Sequence, residues 1–192
     1  SDSLVTAASL ILHPLAHCFH ASTGGLSKKG RCHTWDTRAD GFARSEAVIA
    51  ALLREGSLEP DSGDAIVTGQ AVRSDGRSAS FTAPNGRAQQ EMFASALATA
   101  GITSDSLDSY EAHGTGTALG DPTEAGSVAA MLIRTRSIAA APLTLGSIKG
   151  NVSHVEAGAG LAGLLSLAGA LRMAHATPNA QLRVMNEHVA ST

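Results

Sequence analysis

Two histidines stand where predicted strands run into glycine-containing loops. His113 follows the run 107–112 and opens the sequence His-Gly-Thr-Gly-Thr, and His154 follows the run 143–148 and a short turn. In an α/β sheet, the side chains at the carboxyl ends of the strands converge on the ligand crevice. One such histidine alone would more often be an ordinary surface or packed residue. Two in equivalent settings, each beside glycine and hydroxyl residues, indicate a shared site.

Three other patterns could suggest a cofactor, and each is weak. The segment Gly158–Gly163 fits the dinucleotide pattern G-x-G-x-x-G, but it lies inside a predicted helix and no acidic residue follows about 20 positions later. Gly114–Gly120 lacks the Lys-Ser/Thr ending of a phosphate-binding loop. The amino-terminal histidines and cysteines match no structural zinc spacing; they are His13, His17, Cys18, His20, Cys32 and His33. We predict neither a metal nor a dinucleotide cofactor.

Strands are expected to alternate with helices along the chain. Short apolar or β-branched runs predict strands at 47–53 (buried), 65–72, 107–112 and 143–148, and residues 4–15 predict a strand end that runs into a helix. Helices are predicted over 87–100, where apolar residues share one face and Gly101 ends the pattern, and over 155–172. A loop is expected over 22–40, with turns at 59–63 and 149–153. This order predicts a mostly parallel sheet covered on both faces.

The sequence Asp121-Pro122-Thr123-Glu124 has the form of a helix start. An Asp at the cap, a Pro at the first helical position and a Glu three residues after the Asp make up a capping box. We therefore assign Asp121 and Glu124 to helix capping rather than to chemistry.

Composition excludes several classes of protein. A net charge of −3 with scattered Lys and Arg is not the footprint of a nucleic-acid binder. The longest uncharged apolar run, 157–171, is too short for a bilayer and suits a tightly buried helix. The chain opens Ser-Asp-Ser without signal-peptide features, and its two cysteines form no disulfide pattern. We expect a cytoplasmic protein with no membrane partner.

Four ordered segments resemble the signature blocks of polyketide synthase ketosynthase domains, which are β-ketoacyl synthases of the thiolase-like superfamily. They are DTRADGFARSE (36–46), TAPNG (82–86), YEAHGTGTALGDPTE (110–124) and LGSIKGNVSHVEAG (145–158). The resemblance implies an α/β protein with an incomplete thiolase-like layered α/β/α fold. Residues 1–60 would be the end of the amino-terminal half with an active-site loop, and residues 61–192 most of the carboxyl-terminal half with the two histidines.

The same resemblance implies roles for five residues. His113 and His154 would be catalytic, donating N–H groups to a malonyl thioester carbonyl and so stabilising the enolate that forms as carbon dioxide leaves. Lys149 would hold the geometry and electrostatics of the site, although a solvated turn lysine is the alternative. Thr115 and Thr117 would bind the pantetheine arm of a carrier protein, or satisfy backbone groups of the loop, or both.

The resemblance also implies partners and a missing nucleophile. Substrates would arrive on the phosphopantetheine of an acyl carrier protein, the domain would bind no cofactor itself, and the intact parent would be a homodimer beside other polyketide synthase domains. A condensing enzyme needs an activated thiol on a tight turn, and neither Cys18 nor Cys32 has that setting. We expect residues 1–192 to be inactive and poorly soluble alone. A non-catalytic ketosynthase-like scaffold and a thiolase-like acyltransferase are the alternatives.

Four positions depart from the pattern of the resembling family. Ser45, Ala47 and Ser153 stand where glycine is usual, and Gly150 where threonine is usual. Because a side chain disfavours positive φ, Ser153 could change the turn that aims His154. We expect Asp40 and Arg44 to brace the loop above the site rather than to react.

Overall fold

The structure is a computed structural model that describes residues 2–55, 65–78, 80 and 83–192. Its strands are β1 (Asp2–Ser9), β2 (Ala47–Arg54), β3 (Ser109–Glu111) and β4 (Thr144–Gly146). Its helices are α1 (Pro14–Ser22), α2 (Gly86–Ala100), α3 (Gly120–Val128), α4 (Lys149–Val152), α5 (Ala159–Met173) and α6 (Glu187–Ala190). A π-helical turn, Ala129–Ile133, continues α3, and 3₁₀ turns occupy Ser104–Ser106 and Glu156–Gly158.

The strands form two separate pairs. β1 and β2 are antiparallel along their whole length, from Asp2 opposite Arg54 to Ser9 opposite Ala47. β3 and β4 are parallel, with Tyr110 opposite Leu145. The prediction of mixed strands and helices is therefore confirmed, whereas a mostly parallel sheet is wrong for the longer pair.

The helix predicted over 87–100 is α2. Asn85 begins it by accepting hydrogen bonds from the backbone N–H groups of Arg87 and Ala88, and Gly101 ends it at φ 67°. A residue without Cβ adopts this left-handed conformation without strain, which is why the helix stops there. The predicted helix 155–172 becomes a 3₁₀ turn followed by α5, and the predicted turn 149–153 contains the single helical turn α4.

The strand predicted at 65–72 is absent from this structure. These residues have no strand partner in the described chain, and Ile66, Val67 and Val72 are exposed. A Cβ at Gly69 would lie 2.6 Å from the carbonyl oxygen of Ala96, so this segment contacts α2 instead. The turn predicted at 59–63 lies outside the described residues.

Burial is concentrated around the loop 32–36 and α3 rather than around β2 and α5. Cys32, Trp35 and Val128 are each at most 3% exposed. Two predictions of burial are wrong in this chain: Val48 of β2 is 76% exposed and Leu171 of α5 is 68% exposed. Such uncovered apolar surface supports the expectation of poor solubility, which stays a prediction.

None of the described helices is both long and apolar enough to cross a bilayer.

Candidate active site

The two predicted histidines lie in contact at the carboxyl ends of the parallel strands. His113 follows β3 by two residues, and His154 follows β4 and α4. Their ring centroids are 5.8 Å apart and the rings are almost perpendicular, at 89°. Phe42 packs its ring edge-on against His154, with centroids 5.2 Å apart. The fold thus brings two imidazoles from segments 41 positions apart into one site.

Glu124 holds the backbone of the His113 loop. Its Oε1 accepts hydrogen bonds from the N–H of His113 (2.7 Å) and from the Tyr110 hydroxyl (2.8 Å), and its Oε2 accepts from the N–H of Gly114 (2.9 Å). Gly114 lies at φ 46°, and a Cβ there would lie 2.6 Å from Thr34 Cγ2. A carboxylate from α3 therefore sets the direction in which His113 leaves β3.

Asp121 holds the next part of the same loop. Its Oδ1 accepts from the N–H groups of Gly116 (3.0 Å) and Thr117 (3.2 Å), and its Oδ2 accepts from the N–H of Trp35 (2.8 Å). The side chain is 1% exposed. Burial raises the pKa of this carboxyl to about 6, although the three N–H donors act in the opposite direction.

The assignment of Asp121 and Glu124 to helix capping is wrong. α3 begins at Gly120, and its cap residue, Leu119, makes no side-chain capping bond. Both carboxylates turn back to the loop that precedes the helix, so they are site residues that sequence reasoning misread. The only signal available was two acidic residues just after a glycine-rich segment, which a capping box explains equally well.

The His154 backbone pairs with the segment around Arg44. The N–H of His154 donates to the carbonyl of Ala43 (2.7 Å), and the N–H of Ser45 donates to the carbonyl of His154 (2.9 Å). The Nδ1 of the His154 ring accepts a hydrogen bond from the N–H of Glu156 (3.0 Å). In a neutral imidazole the other nitrogen, Nε2, then carries the proton and can donate it in a hydrogen bond to a ligand.

Both imidazoles are held neutral. Burial, together with the positive charge of Lys149, lowers the pKa of His154 to about 4. Burial and Lys149 also lower the pKa of His113, although Glu124 acts to raise it. At neutral pH the site therefore contains two uncharged N–H donors in contact with each other.

Lys149 is not a solvated turn lysine, because only 4% of it is exposed. The negative charges of Glu111, Glu124 and Asp121 favour its charged form, but burial has the larger effect and lowers its pKa. Glu111 also accepts the N–H of Ile148 (2.6 Å), the residue before Lys149. Lys149 is thus buried near three carboxylates, and its positive charge acts on both histidines.

Replacing Lys149 by Met should raise the pKa of both histidines. Lys149 is a cause of both lowered values, so its removal moves the pKa of His154 from about 4 back toward, but not to, 6.5, since burial remains. Each imidazole would then protonate at higher pH, and the uncharged donor pair would be lost sooner on acidification. Histidine ring NMR titrations of wild type and Lys149→Met measure this. Equal titration midpoints, or a shift as large in the exposed-site control Lys29→Met, would contradict the electrostatic role.

The two threonines lie together in the loop. Thr115 is 6% exposed, its Oγ1 lies 3.4 Å from Thr117 Oγ1, and the latter accepts the N–H of Gly120 (3.2 Å). Thr117 therefore satisfies a backbone group of the loop, as one of the two expected roles requires. Its expected role in binding the pantetheine arm stays a prediction.

Cys32 does not have the environment of a nucleophile, and that Cys18 is not one either stays a prediction. Cys32 is 1% exposed, and burial raises the pKa of its thiol. It bonds to the backbone of Ala43, accepting from the N–H at 3.3 Å. Cys18 is exposed on α1. Within the described residues, no group of three or more His, Cys, Asp or Glu side chains could hold a metal ion.

Asp40 and Arg44 both make the bracing contacts that were expected, and that neither of them reacts stays a prediction. Asp40 Oδ1 accepts from the Ser27 hydroxyl (2.5 Å), and the Arg44 guanidinium pairs with Glu156.

Of the four positions that depart from the family pattern, Gly150 has a clear structural reason, because a Cβ there would overlap Asn179 Oδ1. The side chain of Asn179 occupies the space that a larger residue would need.

Ser153 adopts the conformation that its side chain disfavours. It lies at φ 67° and ψ −174°, a region that is almost restricted to glycine. We expect Ser153→Gly to stabilise the chain by about 1 kcal/mol, which is the relieved strain of about 1–3 kcal/mol less the greater freedom of glycine when unfolded.

The measurement for Ser153→Gly is urea unfolding of the 192-residue chain at low micromolar concentration, followed by the fluorescence of its single tryptophan, Trp35. The midpoint should rise by about 0.5 M. Ser153→Ala keeps the Cβ and should not stabilise the chain. A gain in the alanine variant, or none in the glycine variant, would place the strain elsewhere.

Family models match most of the chain. Residues 3–58 match the amino-terminal domain of β-ketoacyl synthase and residues 64–183 its carboxyl-terminal domain. The chain is 39% identical over 180 residues to a phenolphthiocerol/phthiocerol polyketide synthase protein of Mycobacterium tuberculosis, and the match covers 92% of the chain and 10% of that protein. It is also 39% identical over 175 residues to erythronolide synthase EryA2 of Saccharopolyspora erythraea, covering 90% of the chain and 5% of the relative.

Solved structures give the same result. The oxazolomycin ketosynthase domain from Streptomyces albus superposes on the whole chain with a TM-score of 0.90 at 31% identity. The ketosynthase of module 6 of the bacillaene synthase from Bacillus subtilis superposes on 97% of the chain with a TM-score of 0.89 at 29% identity. In each case the chain covers 34% of the solved chain. It therefore spans about a third of these ketosynthases and a tenth or less of the two curated relatives described above.

Proposed function

The chain belongs to the β-ketoacyl synthase family, and from this membership we propose that it forms part of a polyketide synthase ketosynthase. The parent protein would catalyse decarboxylative Claisen condensation. In that reaction the bond from C2 of a malonyl thioester to its carboxylate breaks, carbon dioxide leaves, and the electron pair forms an enolate. The enolate carbon then attacks an acyl thioester carbonyl and its thiolate departs.

The observation that carries the proposal is the edge-to-face packing of the His113 and His154 imidazoles, whose ring centroids lie 5.8 Å apart. The negative charge of the enolate develops on the thioester oxygen, and two preorganised N–H donors stabilise it there. The lowered histidine pKa values favour donor rather than acid roles, since neither ring is charged at neutral pH. Lys149 would maintain this state and would not itself react.

Substrate delivery and assembly follow from the same proposal. The malonyl unit would arrive on the phosphopantetheine of an acyl carrier protein, with Thr115 and Thr117 beside the pantetheine arm. The domain would need no further cofactor, and the parent would be a cytoplasmic homodimer with adjacent polyketide synthase domains. Support comes from the relatives, which are named as polyketide synthases.

We also propose the division of the chain at residue 60. Residues 1–60 would be the end of the amino-terminal half and residues 61–192 most of the carboxyl-terminal half. The two family matches support this, since one ends at residue 58 and the other begins at residue 64.

The test is condensation by the intact parent. Malonyl carrier protein and an acyl thioester should give a β-ketoacyl product together with carbon dioxide. Carbon dioxide without product would indicate a decarboxylase-only role, and neither would indicate a scaffold. Sequencing the gene upstream is the cheaper discriminator, because a Cys-Ser elbow favours the enzyme and Gln or Gly in place of the cysteine favours the other two outcomes.

A further inference from the structure

We propose that the ion pair between Arg44 and Glu156 is a positioning device that holds the His154 imidazole in its donor tautomer and orientation. Arg44 Nε lies 2.5 Å from Glu156 Oε1, and Arg44 Nη2 lies 3.3 Å from Oε2. This two-pronged geometry fixes both side chains more strongly than a single contact would. The effect on catalysis rests on the proposed function, whereas the effect on the imidazole does not.

The ion pair and the backbone hydrogen bonds of His154 together connect the segment around Arg44 to the turn 154–156. The residues on either side of Arg44 hydrogen-bond to the backbone of His154, through Ala43 O and Ser45 N. Arg44 therefore stands opposite His154 in an isolated parallel bridge. From there its side chain reaches Glu156, two residues beyond the histidine. Backbone pairing on one side and the ion pair on the other leave the intervening turn little freedom.

Glu156 has an unfavourable backbone conformation while it donates a hydrogen bond to the His154 ring. Its N–H donates to His154 Nδ1 at 3.0 Å while its own φ is 43°. Residues with a Cβ avoid positive φ, so this conformation persists only where the surroundings impose it. Ser153, on the other side of His154, also has positive φ. The Arg44 side chain, which is 5% exposed, forms the ion pair that holds the Glu156 side chain in place.

The pair is also mutually dependent. Arg44 pairs with Glu156 through Nε and Nη2. Its third nitrogen, Nη1, is buried and has no hydrogen-bond partner among the described residues. The pairing with Arg44 is in turn the largest cause of the lowered pKa of Glu156. His20 of α1 adds a weaker contact, with Nε2 at 3.6 Å from Glu156 Oε1. Removing either partner takes away the main ion pair of the other and releases the turn.

The reactivity of the His154 ring in the intact parent tests this directly. Diethyl pyrocarbonate acylates the unprotonated nitrogen of a neutral imidazole, which in His154 is the Nδ1 engaged by Glu156. Glu156→Gln and Arg44→Lys should each accelerate carbethoxylation of His154 by about five- to tenfold, the factor that corresponds to losing one hydrogen bond. Arg44→Lys keeps the charge but loses the planar fork, so its effect should lie at the lower end of this range. Peptide mass spectrometry resolves each histidine separately.

Two controls separate positioning from general loosening. Glu91→Gln breaks an exposed Arg87–Glu91 pair of the same type and should leave His154 unchanged. The exposed His188 reports the reagent in every variant. An unchanged His154 rate in both variants overturns the proposal. So does an equal rise at every histidine, or loss of folding in both variants, because the pair would then stabilise the chain in general.

Kinetics connect this inference to catalysis. With the proposed function intact, both variants should lower kcat for carbon dioxide release while KM for malonyl carrier protein stays constant. A change in KM with kcat preserved counts against positioning of the imidazole. If the parent releases no carbon dioxide although His154 reactivity changes as expected, the proposed function fails and this inference stands.

Discussion

Alanine in place of His113 or His154 is expected to lower the rate of carbon dioxide release from malonyl carrier protein by about 10²–10³-fold, as the loss of one preorganised donor to an oxyanion does elsewhere. Under the proposed function both rings would donate an N–H to one developing charge, so each single variant should be severe. KM should change little, because the donors act on the enolate rather than on the bound thioester. The measurement is steady-state release of labelled carbon dioxide by the intact parent.

The double variant sharpens this result. If His113 and His154 stabilise the same oxygen, the loss in the double variant should be smaller than the product of the two single losses, because groups that act as a unit are not additive. His188→Ala, an exposed histidine of α6, should retain full activity. Unchanged release in either single variant would remove the proposed role of that histidine.

The location of the histidine site could be predicted from local sequence because its determinants are local. Each histidine lies two residues beyond a short strand or helical turn, and parallel strands end at one edge of a sheet. The limits of α2 were equally predictable, since Asn85 and Gly101 act on the residues beside them. These elements required no knowledge of distant partners.

The carboxylates were misread because their partners are not local to the helix pattern. Asp121 accepts the N–H of Trp35, which is 86 positions away, and no spacing rule within the helix start reports such a contact. Locally, the same two acidic residues satisfy the capping pattern completely. Only the fold shows that Asp121 and Glu124 bind the loop, and that Leu119 is the N-cap residue of α3.

The strand predicted at 65–72 failed for a related reason. β-branched residues favour a pleated surface, but a strand exists only when a neighbour pairs with it. The described chain supplies no such neighbour, and the segment contacts α2 at Gly69 instead. Exposure of Val48 and Leu171 has the same origin, since composition predicts which residues prefer burial but not what covers them.

Replacing Glu124 by Gln is expected to destabilise the 192-residue chain by about 2–4 kcal/mol, because charge-assisted hydrogen bonds of about 1.5–3 kcal/mol are weakened and an amide N–H₂ is brought against N–H donors. The carboxylate accepts three donors, from Tyr110, His113 and Gly114. Glutamine has nearly the same shape but only one acceptor oxygen. Urea unfolding followed by Trp35 fluorescence measures the loss, and Glu187→Gln in α6 should stay within about 0.5 kcal/mol of wild type.

If the proposed function holds, the rate should fall as well, because the two N–H groups that Glu124 binds belong to His113 and Gly114, the start of the His113 loop. A displacement of the His113 ring by about 1 Å could lower the rate about 10²-fold in the intact parent. Tyr110→Phe removes only one of the three donors, the one that does not belong to the loop, and leaves both backbone bonds in place. It should therefore cost about 1 kcal/mol and spare most of the activity. If Tyr110→Phe reduced the rate of carbon dioxide release as strongly as Glu124→Gln, the carboxylate would act by orienting the tyrosine and not by holding the loop.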